Sequence, residues 1–192
     1  MEVLFKDACT LTNDEISLWE KEFDANRINA VNRKQKIDRA LSICGDLLIF
    51  NAFKSRFPDK ELRINYTNKG KPYLCNNEFY FSVSHKGDKA VCVINETPVG
   101  IDIENIKPFN KKTAERICTP NELQYIGDSE QLFAEIWTVK EAYSKLKGDG
   151  ISMGLGSIII DKGKKTVCGL PFFTEISEDY VYSWVVSDKN NG

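Results

Sequence analysis

A chain of 192 residues is long enough to bury the core of one ordinary domain or of two small packed halves. Its hydrophobic content of 42% and charged content of 28% are typical of folded globular proteins and argue against disorder. A formal net charge of −2 gives the whole molecule no field that attracts nucleic acid or an anionic membrane, so any anion-binding surface must be local.

Targeting and cysteine patterns point to a reduced compartment. The first residues, Met1 to Asp7, lack the basic start and long apolar run of an export signal, and no stretch of 18 apolar residues occurs anywhere. The six cysteines are scattered, without a C-x-x-C pair, and only one histidine is present to complement them. We therefore expect a cytoplasmic protein without a zinc site, a disulfide frame or a membrane anchor.

The N-terminal part of the chain predicts two helices. Thr12 followed by Glu15 is a capping-box pattern and opens a helix through about Phe23. A longer helix is predicted from Arg33 to Phe57, because apolar residues recur there at the helical period. Cations crowd its first two turns, where they oppose the helix dipole: Arg33, Lys34, Lys36 and Arg39. A nearby anion would compensate for them.

The middle of the chain predicts strands joined by turns. A short strand near Arg63–Tyr66 precedes the turn Lys69–Pro72, and the alternating run Phe79–Ser84 turns its apolar side chains inward. We expect a turn at Ser84–Asp88 and a hairpin partner at Ala90–Ile94. The strand Val99–Glu104 follows, with Ile101 and Ile103 on one face and Asp102 and Glu104 on the other.

The remaining residues predict helices and then strands. Helices are expected at Lys111–Ile117, from Thr119-Pro120-Asn121-Glu122 onward, and from Glu130 to Lys147, where Gly148 ends the last of them. Strands are expected at Ser157–Asp161, Phe172–Ile176 and Tyr180–Ser187. Because each half offers helix plus antiparallel strands, we predict an α+β protein with two intimately packed halves.

Acidic side chains and a lysine suggest chemistry. Glu141 and Lys145 lie i, i+4 on a helix and share a surface; if Asp102 and Glu104 converge there, the group suits a hard cation and a phosphate ester. The same residues also fit a solvated strand face and an ordinary surface ion pair.

His85, the sole histidine, is either a turn residue with a local hydrogen bond or a phosphate contact. A Ser-His hydrolase lacks its nucleophile elbow, and no phosphate-binding glycine loop is present.

Five short segments, in their order and spacing, carry a family resemblance: Gly70–Pro72, Phe81–Gly87, Val99–Glu104, Trp137–Lys145 and Gly148–Ser152. They resemble the 4'-phosphopantetheinyl transferases of the Sfp type, over Arg27 to Ile160. The smaller trimeric holo-acyl-carrier-protein synthases share the acidic and Lys-Glu motifs but begin with the acidic strand. The Ser-His segment that precedes this strand favours the single-chain type.

The resemblance implies a pseudo-dimer of two similar α/β halves with the active site in the cleft between them. Residues 1–97 would form the half with coenzyme A phosphate contacts, and residues 98–192 the half with the metal site and the Lys-Glu helix. The implied reaction is attack by a serine hydroxyl of an acyl or peptidyl carrier protein on the β-phosphorus of coenzyme A. Phosphopantetheine is transferred and 3',5'-ADP leaves. We expect a monomer that binds neither nucleic acid nor membrane.

The resemblance also implies roles for single residues. Asp102, Glu104 and Glu141 would hold Mg²⁺, and Lys145 would contact the pyrophosphate and help the leaving group. Glu141 is the candidate for activating the serine, with Glu104 or a bound water as alternatives. The implied coenzyme A contacts also include Asp102 and the following residues: Arg27, Arg39, Lys71, Ser84 and His85.

One departure concerns the carrier protein. The segment between the acidic strand and the Lys-Glu helix is short, and in such enzymes it helps to dock the carrier. Carrier helices are generally acidic, so we place docking on an apolar and basic patch near Lys107 to Arg116.

Two other functions stay open on the sequence: a Mg²⁺-dependent phosphohydrolase acting on a nucleotide or pyrophosphate, and a non-catalytic carrier-binding protein.

Overall fold

The computed structural model describes residues 1–148 and 154–187, and it alternates helices with antiparallel strands. The helices are α1 (Asn13–Glu22), α2 (Ala25–Asn32), α3 (Lys36–Arg56), α4 (Lys111–Ile117), α5 (Pro120–Ile126) and α6 (Glu130–Lys147). The strands are β1 (Glu2–Asp7), β2 (Ile64–Tyr66), β3 (Pro72–Leu74), β4 (Tyr80–Lys86), β5 (Lys89–Asn95), β6 (Val99–Asn105), β7 (Ile160–Asp161), β8 (Thr166–Val167), β9 (Leu170–Ile176) and β10 (Tyr180–Val186). The predicted mixture of helices and strands is confirmed.

Several helix ends follow their capping residues, as predicted. Thr12 and Glu15 form a complete capping box at the start of α1, and Thr119 and Glu122 form another at the start of α5. Gly148 ends α6 in the left-handed conformation, with φ at 73°. These signals are local, so the sequence alone locates the ends of these helices.

The predicted long helix begins later than expected. Asp24 caps a separate helix, α2, by accepting hydrogen bonds from the backbone N–H groups of Asn26 and Arg27. Gln35 is the N-cap of α3, so Arg33 and Lys34 lie in the connection between the two helices. Of the four cations predicted at one helix start, only Lys36 and Arg39 therefore lie in α3.

Two strand predictions also need correction. His85 belongs to β4, which pairs with β5 as far as Lys86, so the turn lies at Gly87 and Asp88. The predicted strand Ser157–Asp161 is instead a 3₁₀ turn, Leu155–Ser157, followed by the two-residue strand β7. The segment 149–153, which holds part of the Gly148–Ser152 motif, lies outside the described residues.

Two antiparallel sheets pack back to back. One has the order β1-β5-β4, and the other has the order β6-β10-β9-β8-β7. The facing sides form one apolar cluster, with Val91 and Val93 on the first sheet and Ile101, Ile103 and Trp184 on the second. Each outer face packs against a long helix, α3 on the first sheet and α6 on the second. In the described residues, no helix is long and apolar enough to span a bilayer.

The edge strands β4 and β6 lie side by side and join the two sheets. The hydroxyl of Ser82 accepts a hydrogen bond from the backbone N–H of Ile101 (3.2 Å), and Ser84 Oγ donates to Asp102 Oδ1 (2.7 Å). These two buried hydroxyls therefore position the acidic strand beside the Ser-His strand.

Gly100 allows α6 to approach β6 at backbone distance. A Cβ built on Gly100 would lie 2.0 Å from the carbonyl oxygen of Ala142 and 2.5 Å from the backbone nitrogen of Leu146. Both obstacles are backbone atoms of a helix and cannot rotate away. Any side chain at this position would therefore push the helix off the sheet.

We expect Gly100→Ala to lower the free energy of unfolding by about 3 kcal/mol, because overpacking against backbone forces the two elements apart. Urea unfolding followed by circular dichroism measures the change. Gly163→Ala is the matched control, since its added Cβ meets its nearest neighbour, Asp161 Oδ1, at 3.4 Å. Equal stability of the two variants would contradict the close approach.

Candidate functional site

The centre of the candidate site is a lysine bonded across the two sheets. Lys145 Nζ, on α6, donates to Asp102 Oδ1 (2.7 Å) on β6 and to Ser84 Oγ (2.7 Å) on β4. Asp102 and Ser84 are buried, and the Lys145 side chain remains 30% exposed. Three of the predicted site residues, from three different elements, therefore meet at one point.

Glu141 lies one helical turn before Lys145 and faces the same acidic strand. Burial raises the pKa of its carboxyl group, the charge of nearby Asp102 raises it further, and Lys145 partly opposes both effects. A carboxyl group whose pKa is raised by a neighbouring carboxylate marks a place where a cation is stabilised. The pair Asp102 and Glu141 fits a hard divalent cation, which prefers oxygen ligands.

Glu104 stays apart from this pair. Its carboxylate forms ion pairs with Lys86 on β4 (2.9 Å) and with Lys107 after β6 (3.3 Å). Asp102 and Glu104 are alternate residues of one strand, so their Cα atoms lie about 7 Å apart. Among residues 1–148 and 154–187, no group of three histidine, cysteine or acidic side chains is arranged to hold a metal ion. Asp102 and Glu141, two of the three predicted metal ligands, are thus near each other, whereas Glu104 forms ion pairs with lysines.

Lys71 crosses from the N-terminal part of the chain to the end of α6. Its Nζ donates to the carbonyl oxygen of Leu146 (2.9 Å), and its side chain passes beside Gly148. A cation is favourable at a helix C-terminus, where the peptide dipoles end. Lys71 and Lys145 line the same cavity of about 250 Å³, together with Ser82 and Val83 of β4.

A second cavity, of about 200 Å³, continues from the first along Gly70, Pro72 and Val83. Its polar lining consists of Arg27, which is paired with Asp46, and of Lys34, Ser42 and His85. The pKa of His85 is lowered, first by burial and then by the charges of Lys145 and Lys34. Together the two cavities form a cleft with positive groups along its length, which suits a ligand with several phosphates.

Sequence reasoning missed Lys34 and Ser42 as members of this cleft. Lys34 Nζ donates to Ser42 Oγ (2.8 Å), which binds the connection before α3 to the buried side of that helix. The sequence placed Lys34 among the cations in the first two turns of one long helix, and a serine within an apolar run carries no distinct signal. Only the break between α2 and α3 brings the two side chains together.

Two predicted coenzyme A contacts have protein partners. Arg27 lines the cleft, but its guanidinium forms a bidentate ion pair with buried Asp46 (2.8 and 2.9 Å), which also accepts from Trp19 Nε1. Arg39 bonds Asn32 (2.8 Å) and is not among the described residues that line the two cavities. Lys34 is the cation beside Arg27 that lines the inner cavity.

A larger cavity of about 590 Å³ opens beyond Arg27, Ile64 and Tyr66. Its charged side chains balance: Lys21, Arg27 and Arg63 against Glu22, Asp24 and Glu61. Balanced charge does not select an anion. We therefore locate the site in the smaller cavities, where cations and the Asp102–Glu141 pair are adjacent.

The described chain is thus a mixed α/β protein with a cleft suited to a phosphate-rich ligand and two acids beside it. Residues 98–190 match a family profile described as the 4'-phosphopantetheinyl transferase superfamily. This match confirms the resemblance to the superfamily that the sequence predicts.

Curated relatives carry the same family name. The chain is 36% identical to a 4'-phosphopantetheinyl transferase of Bacillus pumilus, over 63% of this chain and 55% of the relative. It is 34% identical to one of Aneurinibacillus migulanus, over 66% and 56%, and 28% identical to Sfp of Bacillus subtilis, over 65% and 59%. The match thus spans little more than half the length of these relatives.

The titration of Lys71 offers a test of the cleft. Burial lowers its pKa from 10.5 to about 8, so between these values the unfolded chain binds more protons than the folded protein. Stability contributed by this group therefore rises as pH increases through that window. We expect wild-type protein to gain unfolding free energy relative to Lys71→Met between pH 8 and 10, measured by urea unfolding. A difference that stays flat or falls would contradict the buried placement.

Proposed function

We propose that this protein transfers 4'-phosphopantetheine from coenzyme A to a serine of an acyl or peptidyl carrier protein and releases 3',5'-ADP. The observation that carries the proposal is the bonding of Lys145 to Asp102 and Ser84 at the end of a cation-lined cleft. The names of the relatives give the reaction class, and the cleft gives a place for the phosphates of coenzyme A.

The cleft suits the phosphates in two groups. Lys34 and Arg27 are the cations of the inner cavity, and His85 lines it beside them, where the 3'-phosphate of the nucleotide would lie. Lys71 and Lys145 line the outer cavity, where the pyrophosphate would lie. Lys145 is then the group that stabilises charge on the departing nucleotide, because it is the cation beside the reacting phosphorus. Ser84 orients Lys145 by accepting one of its hydrogen bonds.

Asp102 and Glu141 would hold Mg²⁺, with Glu104 as a third ligand once it leaves Lys86 and Lys107. Such an ion offsets charge on phosphoryl oxygens and orients them. Glu141 is also our candidate for accepting the serine proton, because burial and the charge of Asp102 already raise its pKa. Glu104 and a bound water are the alternative proton acceptors.

We further propose that the chain is a pseudo-dimer of two similar halves, residues 1–97 and 98–192. The sheet orders support this: β1-β5-β4 and β6-β10-β9 each place the first strand of a half beside its last strand. A long helix follows the first strand in both halves and covers the outer face.

The site residues come from both halves of one chain, which supports a monomer. Six free thiols are consistent with the cytoplasm.

Carrier docking is proposed at the pocket beside Glu104. Pro108, Phe109 and Trp137 give it an apolar lining, and Lys86 and Lys107 add positive charge. Phe109 stacks on Phe133, with ring centroids 4.3 Å apart, which fixes the loop before α4. An apolar pocket with basic surroundings suits an acidic carrier helix that presents an apolar side chain.

The reaction is tested by incubating the protein with coenzyme A, Mg²⁺ and an apo-carrier. We expect the carrier to gain the mass of one phosphopantetheine, and Asp102→Asn and Glu141→Gln to lower kcat/KM by about 100-fold or more. Glu175→Gln, an exposed acid on β9, is the control. A chelator should abolish transfer and Mg²⁺ should restore it. Hydrolysis of coenzyme A without mass gain would instead indicate a phosphohydrolase, and binding without reaction a carrier-binding protein.

The docking surface is tested separately on α4. Lys111→Glu combined with Lys112→Glu reverses two exposed charges, so we expect the KM for an acidic carrier to rise by about tenfold while the KM for coenzyme A is unchanged. Lys164→Glu reverses an exposed charge in the turn after β7 and serves as the control. An unchanged KM for carrier in the α4 variant would remove this surface from the proposal.

A further inference from the structure

Lys140 is fully buried, and every oxygen it contacts comes from a different segment of the chain. Its Nζ donates to the carbonyl oxygen of Ile117 (2.7 Å), to Glu122 Oε2 (2.7 Å) and to the carbonyl oxygen of Leu155 (3.2 Å). An ammonium group has three N–H donors, so all of them are used. Although Lys140 precedes Glu141, it is not available to a ligand in the cleft.

The three partners mark three elements that meet on α6. Ile117 is the last residue of α4, Glu122 lies in the first turn of α5, and Leu155 begins the 3₁₀ turn after the segment 149–153. Glu141 and Lys145, on the same helix, lie near Asp102 of β6. Lys140 therefore links the connection between β6 and α6 to the helix that bears the candidate site.

Stability alone is a weak reason for this arrangement. Burying an ammonium and a carboxylate costs desolvation energy that their attraction often fails to recover, and an apolar pair is frequently as stable. Glu122 Oε1 is also buried and has no hydrogen-bond partner among the described residues, which adds a further cost. The gain from Lys140 is positional, because one charged group fixes three backbone segments at once.

One of the segments that Lys140 contacts, α4, also lines the proposed docking pocket beside Glu104. Asn110 and Thr113, at the start of α4, line the pocket beside Glu104, and Lys140 holds the other end of that helix. The 3₁₀ turn supports α4 at close range: a Cβ on Gly156 would lie 2.9 Å from the carbonyl oxygen of Arg116. Displacing this turn would therefore shift the helix.

We propose that Lys140 is a positioning residue for the carrier-docking surface and sets the orientation of α4 relative to Glu141. The inference rests on the proposed transfer reaction, and it deepens that proposal by adding a determinant of carrier recognition. Lys140 touches neither the cleft nor the reacting atoms, so its loss should affect the carrier and spare coenzyme A. A purely structural role would change stability alone.

The test compares Lys140→Met with the double variant Lys140→Met/Glu122→Gln. The single variant leaves the Glu122 charge buried and unpaired, so we expect a lower midpoint of urea unfolding. The double variant removes both charges and keeps an oxygen for the backbone N–H of Thr119, so the midpoint should recover in part, while the carbonyl oxygens of Ile117 and Leu155 still lose the lysine donor. We expect its KM for the apo-carrier to stay raised by about tenfold, with the KM for coenzyme A changed by less than about twofold.

Gly156→Ala provides an independent variant, because it shifts the 3₁₀ turn against α4 without changing charge. We expect the same rise in KM for the carrier, with Lys164→Met and Gly163→Ala as controls. If wild-type protein transfers phosphopantetheine but the double variant recovers both stability and the KM for the carrier, the positioning role of Lys140 is wrong. If wild-type protein transfers nothing, the proposed function fails instead.

Discussion

The arrangement of the candidate site depends on the contact between α6 and β6 at Gly100. Because this residue has no side chain, the helix backbone at Ala142 and Leu146 lies directly on the strand. That contact fixes both the distance of α6 from the sheet and the rotation of the helix about its axis. Glu141 and Lys145, one turn apart, are consequently held over Asp102, and no flexible side chain has to supply the alignment.

A second constraint comes from the edge between the two sheets. The sheets pack by their apolar faces, and Ser82 and Ser84 form direct bonds from β4 to β6. Ser82 gives the buried backbone N–H of Ile101 an acceptor, and Ser84 adds a second donor to Asp102 Oδ1 beside Lys145. Ser84 therefore has two functions in the structure: it joins the sheets and also orients Lys145. Cations of the N-terminal part of the chain thus line a cleft that ends at acids of the C-terminal part.

The sequence predicts the elements whose signals are local and leaves out those that depend on distant partners. The capping boxes of α1 and α5 and the glycine after α6 are readable because each acts within one turn. Strand β1 was not predicted, since it is defined by pairing with β5 far along the chain. The close approach at Gly100 was equally hidden, because a glycine on a strand does not identify the helix that will cover it.

The site follows the same division. The alternation of β6 puts Asp102 on its acidic face, and the spacing of α6 puts Glu141 and Lys145 on one surface. The packing of α6 on β6 then brings the three residues together. The partners of the other charged groups come from tertiary packing. Glu104 is bonded to Lys86 and Lys107, and Arg27 to Asp46, although the sequence pointed each of these residues toward a ligand. Spacing shows which residues can meet, whereas packing decides which opposite charge each one takes.

These ion pairs bear on how the proposed substrate would be accepted. Asp102 is paired with Lys145, and Glu104 with Lys86 and Lys107, so acids and cations of the site neutralise each other. Under the proposed function, coenzyme A with Mg²⁺ would bring both signs of charge together. Asp102 and Glu104 would then face the metal in place of lysines, and the lysines would face phosphate oxygens in place of acids. A ligand carrying only phosphates would leave these acids without a positive partner, so the site would favour the metal-bound form of the substrate.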